Sequence, residues 1–335
     1  MTAHQPGRVR LLGWVEAGGR RLTLPEIEAA VCSDPGCAAG FGGEFALAWD
    51  GCTATDRLGI LGIPGPHGVI TCRGEMIGEV DPDPPALGLG EALRIAVGLR
   101  ADEGAVALSG GVDSALIASL AGLPCVTVGM AGSPDLEAGR AAARSLGLSW
   151  EGVTTTEDEV ERALPRVIRA IPRATPLDVS IAAGLFFVAR WAGGKGHRRV
   201  LLGQGADELF GGYARYRTGA DIPAMLARDF ASLRGQALRD QAVARLHGTW
   251  FSLPYLDLRV VRAARSLPPG DLVSSGTGKV PLREVAARIL PPDIAYAPKK
   301  AMQYGSGIAG ALRRLARKNG YRTVGEHIAY LKDRN

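Results

Sequence analysis

The chain changes its hydrophobic rhythm twice. Over residues 1 to about 80, apolar and polar positions alternate in short runs, the period of half-buried strands. Arg8 to Val15 and Phe45 to Asp50 read as strands. Asp50-Gly51 is a hairpin turn, Thr53 to Arg57 the returning strand, and Val69 to Gly78 a further hairpin. The polar, proline-rich stretch Asp81-Pro82-Asp83-Pro84-Pro85 is a stiff linker. A helix follows from Gly90 to Arg100, with Leu93, Ile95, Ala96 and Leu99 on its apolar side. From there short apolar runs alternate with segments of helical period. Ala105 to Leu108, Cys125 to Gly129, Leu148 to Val153 and Val200 to Leu202 read as strands. Asp135 to Leu146, Glu157 to Ile171 and Asp178 to Trp191 read as helices. Beyond Asp221 the period is helical with no further strand, and the charged tail Tyr321 to Asn335 is expected to be partly ordered.

This pattern predicts an α/β fold: a doubly wound parallel sheet, a helical C-terminal part and a small β-rich N-terminal domain. The expected divisions are residues 1–80, a linker at 81–89, and a second domain at 90–335 with its sheet in 104–220 and its helical part in 221–335. In such a sheet ligands sit at the carboxyl ends of the strands.

Two glycine-rich strings fall at such ends. The first is Leu108-Ser109-Gly110-Gly111-Val112-Asp113-Ser114, between a strand and a helix. Glycines turn backbone N–H groups inward, the helix N-terminus adds partial positive charge, and two serine hydroxyls add donors. That is an anion site. A carboxylate in it fits only with a divalent cation, which makes Asp113 a Mg²⁺ ligand beside a polyphosphate. The alternative is a Gly-Ser turn with Asp113 capping the helix. The second string is Gly203-Gln204-Gly205-Ala206-Asp207-Glu208-Leu209-Phe210-Gly211-Gly212-Tyr213. Asp113 and Asp207, from two strand ends, are the expected pair of metal ligands. The alternative is a glycine loop capped by Asp207, with Glu208 solvated.

Composition narrows the picture without redirecting it. A chain of 335 residues has room for two domains and a sizeable core. No stretch approaches the roughly 18 consecutive apolar residues of a membrane span, and Met1 to Pro6 lack a signal-peptide core, so a cytoplasmic location is expected. The formal charge is +5, and the basic cluster Arg313, Arg314, Arg317 and Lys318 reads as a solvated helix face. No RNA-binding signature accompanies it, so neither nucleic acid nor membrane is an expected partner. Five cysteines with no Cys-x2-Cys pair read as reduced, structural thiols, and Cys32 and Cys37 have no histidine at a metal-binding spacing. His197 is expected at the surface, and His247 is a candidate for the edge of the pocket.

The first string resembles the pyrophosphate loop of the N-type ATP pyrophosphatases (PP-loop, adenine nucleotide α-hydrolase-like), and it lacks the Gly-Lys-Ser/Thr of a Walker A loop. The second string resembles the signature of asparagine synthetase. Residues 88–308 as a whole are similar to the synthetase domain of that family and of β-lactam and carbapenam synthetases. Gly132 to Leu136, Leu253-Pro254-Tyr255-Leu256-Asp257, Lys279 with Leu282-Arg283, and Lys299 with Gly305-Ser306-Gly307 match as well. The resemblance implies ATP and Mg²⁺ as cofactors. Adenine packs by Leu108, Val128 and Met130. Ser109, Gly110, Gly111, Ser114 and Gly203 border the phosphates, Lys279 reaches one of them, and Asp113 and Asp207 hold the metal. Lys299 is implied as the catalytic cation at the forming tetrahedral centre, and its neighbour Lys300 as solvated.

Phe41 to Asp50 with Asp56 to Ile60 is similar to the late part of that family's glutaminase domain. No cysteine precedes Cys32, Thr2 has no supporting motif as an N-terminal nucleophile, and glutamine hydrolysis is not expected. Two departures fall on the acceptor side. Gln204 stands where the family usually has glutamate, leaving an orienting group in place of a base. Trp250 and Ser252 stand where the family often has an acid-x-arginine, and are expected to line the acceptor pocket. The implied reaction adenylylates a carboxylate, first of all aspartate, and transfers ammonia or an amine to it. The alternatives are a ligase for another carboxylate and a non-catalytic nucleotide-binding regulator. The implied partners are the small-molecule carboxylate and ammonia, with a separate glutaminase and a homodimer left open.

Overall fold

The computed structural model describes residues 9–217, 221–274, 276–297 and 305–334. Thr2, Lys299 and Lys300 lie outside the described residues. Two sheets dominate. The first is antiparallel, built from β1 (Arg10–Ala17), β2 (Arg20–Arg21), β3 (Gly42–Trp49), β4 (Cys52–Thr55), β5 (Val69–Cys72) and β6 (Glu75–Glu79), in the order β2-β1-β3-β4-β5-β6. Alternation decides its faces. Val15, Phe45, Leu47, Trp49, Ala54 and Ile70 form one core with Ile27 and Val31 of helix α1 (Leu24–Ser33). The period-2 reading missed α1, although its start is marked by Thr23-x-x-Glu26, where the Thr23 N–H donates to the Glu26 carboxylate at 2.7 Å. Trp14 points to the other face and packs with Leu61 and Trp250.

Cys52 and Cys72 stand opposite one another in the β4–β5 ladder and form a disulfide. This corrects the expectation of reduced thiols throughout. That expectation rested on cell compartment, whereas cross-strand register places the two sulfurs together.

Residues 81–88 carry no regular structure and lead into α2 (Leu89–Gly98). The second sheet is parallel: β7 (Ala105–Ala107), β8 (Cys125–Met130), β9 (Trp150–Thr155), β10 (Arg199–Leu201) and β11 (Trp250–Ser252), ordered β11-β10-β7-β8-β9. Between and after them run α3 (Val112–Ala121), α4 (Pro134–Leu146), α5 (Glu157–Ala170), α6 (Pro176–Gly194), α7 (Ala206–Phe210), α8 (Ile222–Arg245) and α9 (Leu258–Arg265). A small ribbon of β12 (Val273–Ser274) and β13 (Thr277–Gly278) precedes α10 (Val280–Ala286) and α11 (Pro292–Ala295). The chain ends with α12 (Ile308–Lys318) and α13 (Val324–Asp333).

Both faces of the parallel sheet are covered, as continuous apolar strands require. Val126, Val128, Val200 and Leu202 face α5, α6, α8, α12 and α13. Val106, Leu108 and Leu201 face α2, α3, α9 and α10. The mixed α/β class with a doubly wound parallel sheet is the fold expected from the pattern. Helix α6 has the length and hydropathy of a membrane span, but 61% of that window is buried inside the molecule.

Two details differ from expectation. Strands do occur after Asp221: β11 joins the parallel sheet through Arg199↔Trp250 pairing, and β12 pairs with β13. Runs of two or three residues are too short to show a period, so only pairing reveals them. The charged tail is also more regular than expected, because α13 buries His327 and Ile328.

Candidate active site

The order of the parallel strands creates the site. From β7 the chain proceeds outward to β8 and β9. From β10 it proceeds the other way to β11. Adjacent strands β7 and β10 therefore flank the point where the winding direction reverses, and in such sheets the ligand crevice lies beyond their carboxyl ends. Both glycine-rich strings leave from these two strands.

The first string turns tightly into α3. Gly110 has φ +79°, and a Cβ there would lie 2.5 Å from the Ala138 carbonyl carbon of α4. Only glycine fits that turn. Ser114 is buried and its hydroxyl serves the loop itself: it accepts from the Ser109 N–H at 3.1 Å and donates to the Gly111 carbonyl at 3.2 Å. Ser109 is exposed at the mouth, with its Oγ 3.1 Å from that of Ser114. Asp113 sits in the first turn of α3, and the Tyr255 hydroxyl donates to its backbone carbonyl at 3.0 Å.

Asp207 opens α7 from the second string. Between the two carboxylates lies a buried ammonium. Lys279 Nζ is 2.5 Å from Asp113 Oδ2 and 2.6 Å from Asp207 Oδ1. Burial alone lowers the Lys279 pKa, but the charges of Asp113 and Asp207 and their hydrogen bonds outweigh it and raise the pKa above the ordinary lysine value. The β12–β13 ribbon delivers this lysine. Its backbone is left-handed, φ +61°, and its N–H donates to the Phe210 carbonyl at the end of α7, 3.0 Å away. Room is provided by Gly212, where a Cβ would lie 1.9 Å from Asp207 Oδ1 and 2.3 Å from Lys279 Cε.

Two carboxylates around one shared cation, beside backbone amides at a helix N-terminus, form a donor set suited to Mg²⁺ with a polyphosphate. Among the described residues no three His, Cys, Asp or Glu gather into a metal cage of their own.

The family model described as Asparagine synthase matches residues 88–225 and 218–327. The chain belongs to the asparagine synthase family. Three relatives show how far the similarity reaches. "Putative asparagine synthetase (glutamine-hydrolyzing) 1" of Methanocaldococcus jannaschii is 32% identical over 276 residues, covering 69% of this chain and 51% of the relative. Carboxyethyl-arginine beta-lactam-synthase of Streptomyces clavuligerus is 30% identical over 237 residues, covering 68% and 46%. Asparagine synthetase B (glutamine-hydrolyzing) of Escherichia coli is 27% identical over 228 residues, covering 60% and 41%. The chain thus spans about half or less of the length of these relatives.

Other residues named for this family's site, and Ser133 beside them, are placed as follows. Leu108 and Val128 are buried, and Met130 closes the end of β8, where its N–H donates to the Ser306 carbonyl at 2.8 Å. Ser133 lies beside them, buried, with its Oγ unpartnered among the described residues. Gly203 packs under Asp113, where a Cβ would lie 3.1 Å from the Asp113 Cβ. Gln204 is turned to α8, and its amide donates to Gln236 Oε1 at 3.0 Å.

One expectation is corrected, and two open alternatives close. Trp250 and Ser252 do not belong to the rim of this crevice. They start and end β11, where Trp250 packs on Trp14 and Leu61, and Ser252 Oγ donates to Glu44 of the antiparallel sheet at 2.6 Å. His247 lies before β11, stacked edge-on against Phe186 with ring centroids 4.5 Å apart. Burial and the nearby Arg166 and Arg190 lower its pKa to about 4. Glu208 is not solvated: it is buried, and accepts from the Tyr213 hydroxyl at 2.6 Å and from Gln236 at 3.2 Å. Burial raises its pKa. Gln236 carries no motif, and only its position on α8 joins it to the site.

Proposed function

We propose that this chain is an ATP-dependent ligase that forms an acyl-adenylate from a carboxylate and passes the acyl group to ammonia or an amine, releasing pyrophosphate and AMP. One observation supports it above all: Asp113 and Asp207, from the two strands flanking the reversal of winding, share a single cation at the mouth of a glycine loop. In this reading the amides of Ser109, Gly110 and Gly111 receive phosphate oxygens, and Lys279 supplies positive charge beside them. Asp113 and Asp207 hold Mg²⁺, which neutralises polyphosphate charge when bound. Leu108, Val128 and Met130 accept the adenine, and the free Ser133 hydroxyl is a hydrogen-bonding group for the nucleoside. Lys299, assigned from the family resemblance, stabilises charge at the tetrahedral centre, and Gln204, standing in place of the family's usual glutamate, orients the acceptor side through its amide.

Aspartate is the first candidate acid and free ammonia the first nitrogen donor. Location of Trp250 and Ser252 in the interface between the sheets takes the acid-x-arginine positions out of the acceptor pocket, which favours testing other carboxylates beside aspartate. The deciding experiment is ATP–pyrophosphate exchange over a panel of acids. Exchange with one of them, lost by about 100-fold or more in Asp113→Asn, is the expected result. No exchange with any acid overturns adenylation, and exchange only with an acid other than aspartate overturns asparagine synthesis.

A further inference from the structure

One short segment, Ser252 to Asp257, links the antiparallel sheet to the carboxylate site. Glu44 of β3, with no exposed surface, holds its beginning. It accepts from Ser252 Oγ at 2.6 Å and from the Leu253 N–H at 2.9 Å. The same carboxylate accepts from Trp14 Nε1 at 3.2 Å and from Arg100 Nε at 2.9 Å. Arg100 holds the other end, since its Nη1 donates to Asp257 Oδ2 at 2.9 Å. A second strut runs from Glu16 of β1, which accepts two hydrogen bonds from Arg259 Nη2, and Arg259 Nη1 also donates to Asp257. Between its ends the segment is one tight turn, with Leu256 N–H donating to the Leu253 carbonyl and Asp257 N–H to the Pro254 carbonyl. It has little freedom to move except as a unit.

Both carboxylate-bearing loops rest on that unit. Tyr255, fully buried, donates through its hydroxyl to the Asp113 carbonyl at 3.0 Å. Under the second loop, a Cβ at Gly205 would lie 2.8 Å from Leu256 Cδ2 and 3.3 Å from Tyr255 Cβ, so the backbone just before Asp207 sits directly on the same two residues. We infer that Glu44 is a positioning residue for the site: through the clamped turn it sets the separation of Asp113 and Asp207, and the antiparallel sheet is thereby a working part of the nucleotide site. The inference rests on the proposed reading of that site as one for Mg·ATP. Buried, fully bonded ionic groups are suited to this task because any displacement leaves charge unpaired.

The test is a double-mutant cycle on nucleotide affinity in the full chain, by calorimetric titration of Mg²⁺ with α,β-methylene-ATP, which cannot be cleaved at the α–β bond. The variants are Glu44→Gln, Tyr255→Phe and the two together. Each single variant is expected to weaken binding by about tenfold. Because both act on one lever, the double variant is expected to match the weaker single variant. A merely structural Glu44 would lower the melting midpoint and leave this affinity unchanged, which overturns the inference. So does an additive double variant, at about 100-fold. Should Glu44→Gln fail to fold, Ser252→Ala removes one donor, keeps the charge, and runs the same cycle with an expected effect of about threefold. A wild-type chain that binds no nucleotide overturns the site reading itself and this inference with it, whereas wild-type binding with uncoupled variants overturns only the inference.

Discussion

Two groups of opposite charges meet across the turn Ser252 to Asp257, and they behave differently. Glu16, Glu44, Arg100, Asp257 and Arg259 form a web between the sheets, each with a side chain 8% exposed or less. Its hydrogen bonds run between strands, helix ends and one tight turn. In the crevice, Asp113 and Asp207 keep side-chain exposures of 23% and 22% around the buried Lys279 ammonium, and all three stand on or beside glycine loops. Burial of paired charge by itself therefore marks neither function nor stability. Function is read from the second group because its charges face an opening and its neighbours are glycines that leave space. The web is packed between the sheets with almost no exposed side-chain surface.

The sharpest way to break that comparison is to remove one partner from each group. Arg100→Met leaves Glu44 and Asp257 buried without their cation and is expected to destabilise the fold by about 3–5 kcal/mol, read from denaturant midpoints. Lys279→Met is expected to lower the midpoint less, because Asp113 and Asp207 are partly exposed where Glu44 and Asp257 are not. Equal destabilisation by both would erase the distinction. A smaller effect is expected from Gly212→Ala, which forces Asp207 and Lys279 apart without changing any charge. Displacement of that order costs about 100-fold in exchange rate while folding is retained. Unchanged exchange would show that the spacing of the two groups is not what matters.

A third effect, read as a pH slope and not as a single midpoint, is expected at the edge of the web. Asp56 is fully buried beside a cavity of about 30 Å³ that Glu16, Arg100 and Asp257 also line. Its Oδ1 accepts from the Leu58 and Ile60 N–H groups, while Oδ2 has no partner among the described residues. Burial raises its pKa from 3.8 to about 7. The folded chain thus holds this proton to higher pH than the unfolded chain does. Its contribution to stability is complete below about pH 4 and is lost as pH rises through 7, at no more than about 1.4 kcal/mol per pH unit. Asp56→Asn is expected to flatten the dependence of the urea midpoint between pH 4 and 7 and to raise it at pH 8. An unchanged slope would remove Asp56 as its source.

Much of the site is legible in the sequence. The strings around Asp113 and Asp207 carry their chemistry locally, since a glycine turn, a helix start and a carboxylate lie within a few residues of one another. Lys279 was legible as a family match. Its place between the two carboxylates was not, because a contact across 166 and 72 residues leaves no local trace. Trp250 and Ser252 show the opposite failure. Their positions in a motif suggested a pocket, but a three-residue edge strand carried them into the interface between sheets. Glu208, solvated in the alternative reading of its loop, is buried and bonded to Gln236, 28 residues away.

Sequence alone determined the elements that rest on local pattern: period-2 strands at the start, strand–helix alternation afterwards, and two glycine strings that start helices with a carboxylate in the first turn. Backbone sterics and side-chain periodicity act over a few residues, so a few residues suffice to read them. Tertiary structure decided what depends on packing between distant elements. It set the strand order that puts β7 beside β10, the lysine shared by two loops, the disulfide across β4 and β5, and the buried web through which the antiparallel sheet grips the turn beneath the site. Those follow from which surfaces are buried against one another, and that is a property of the whole folded chain.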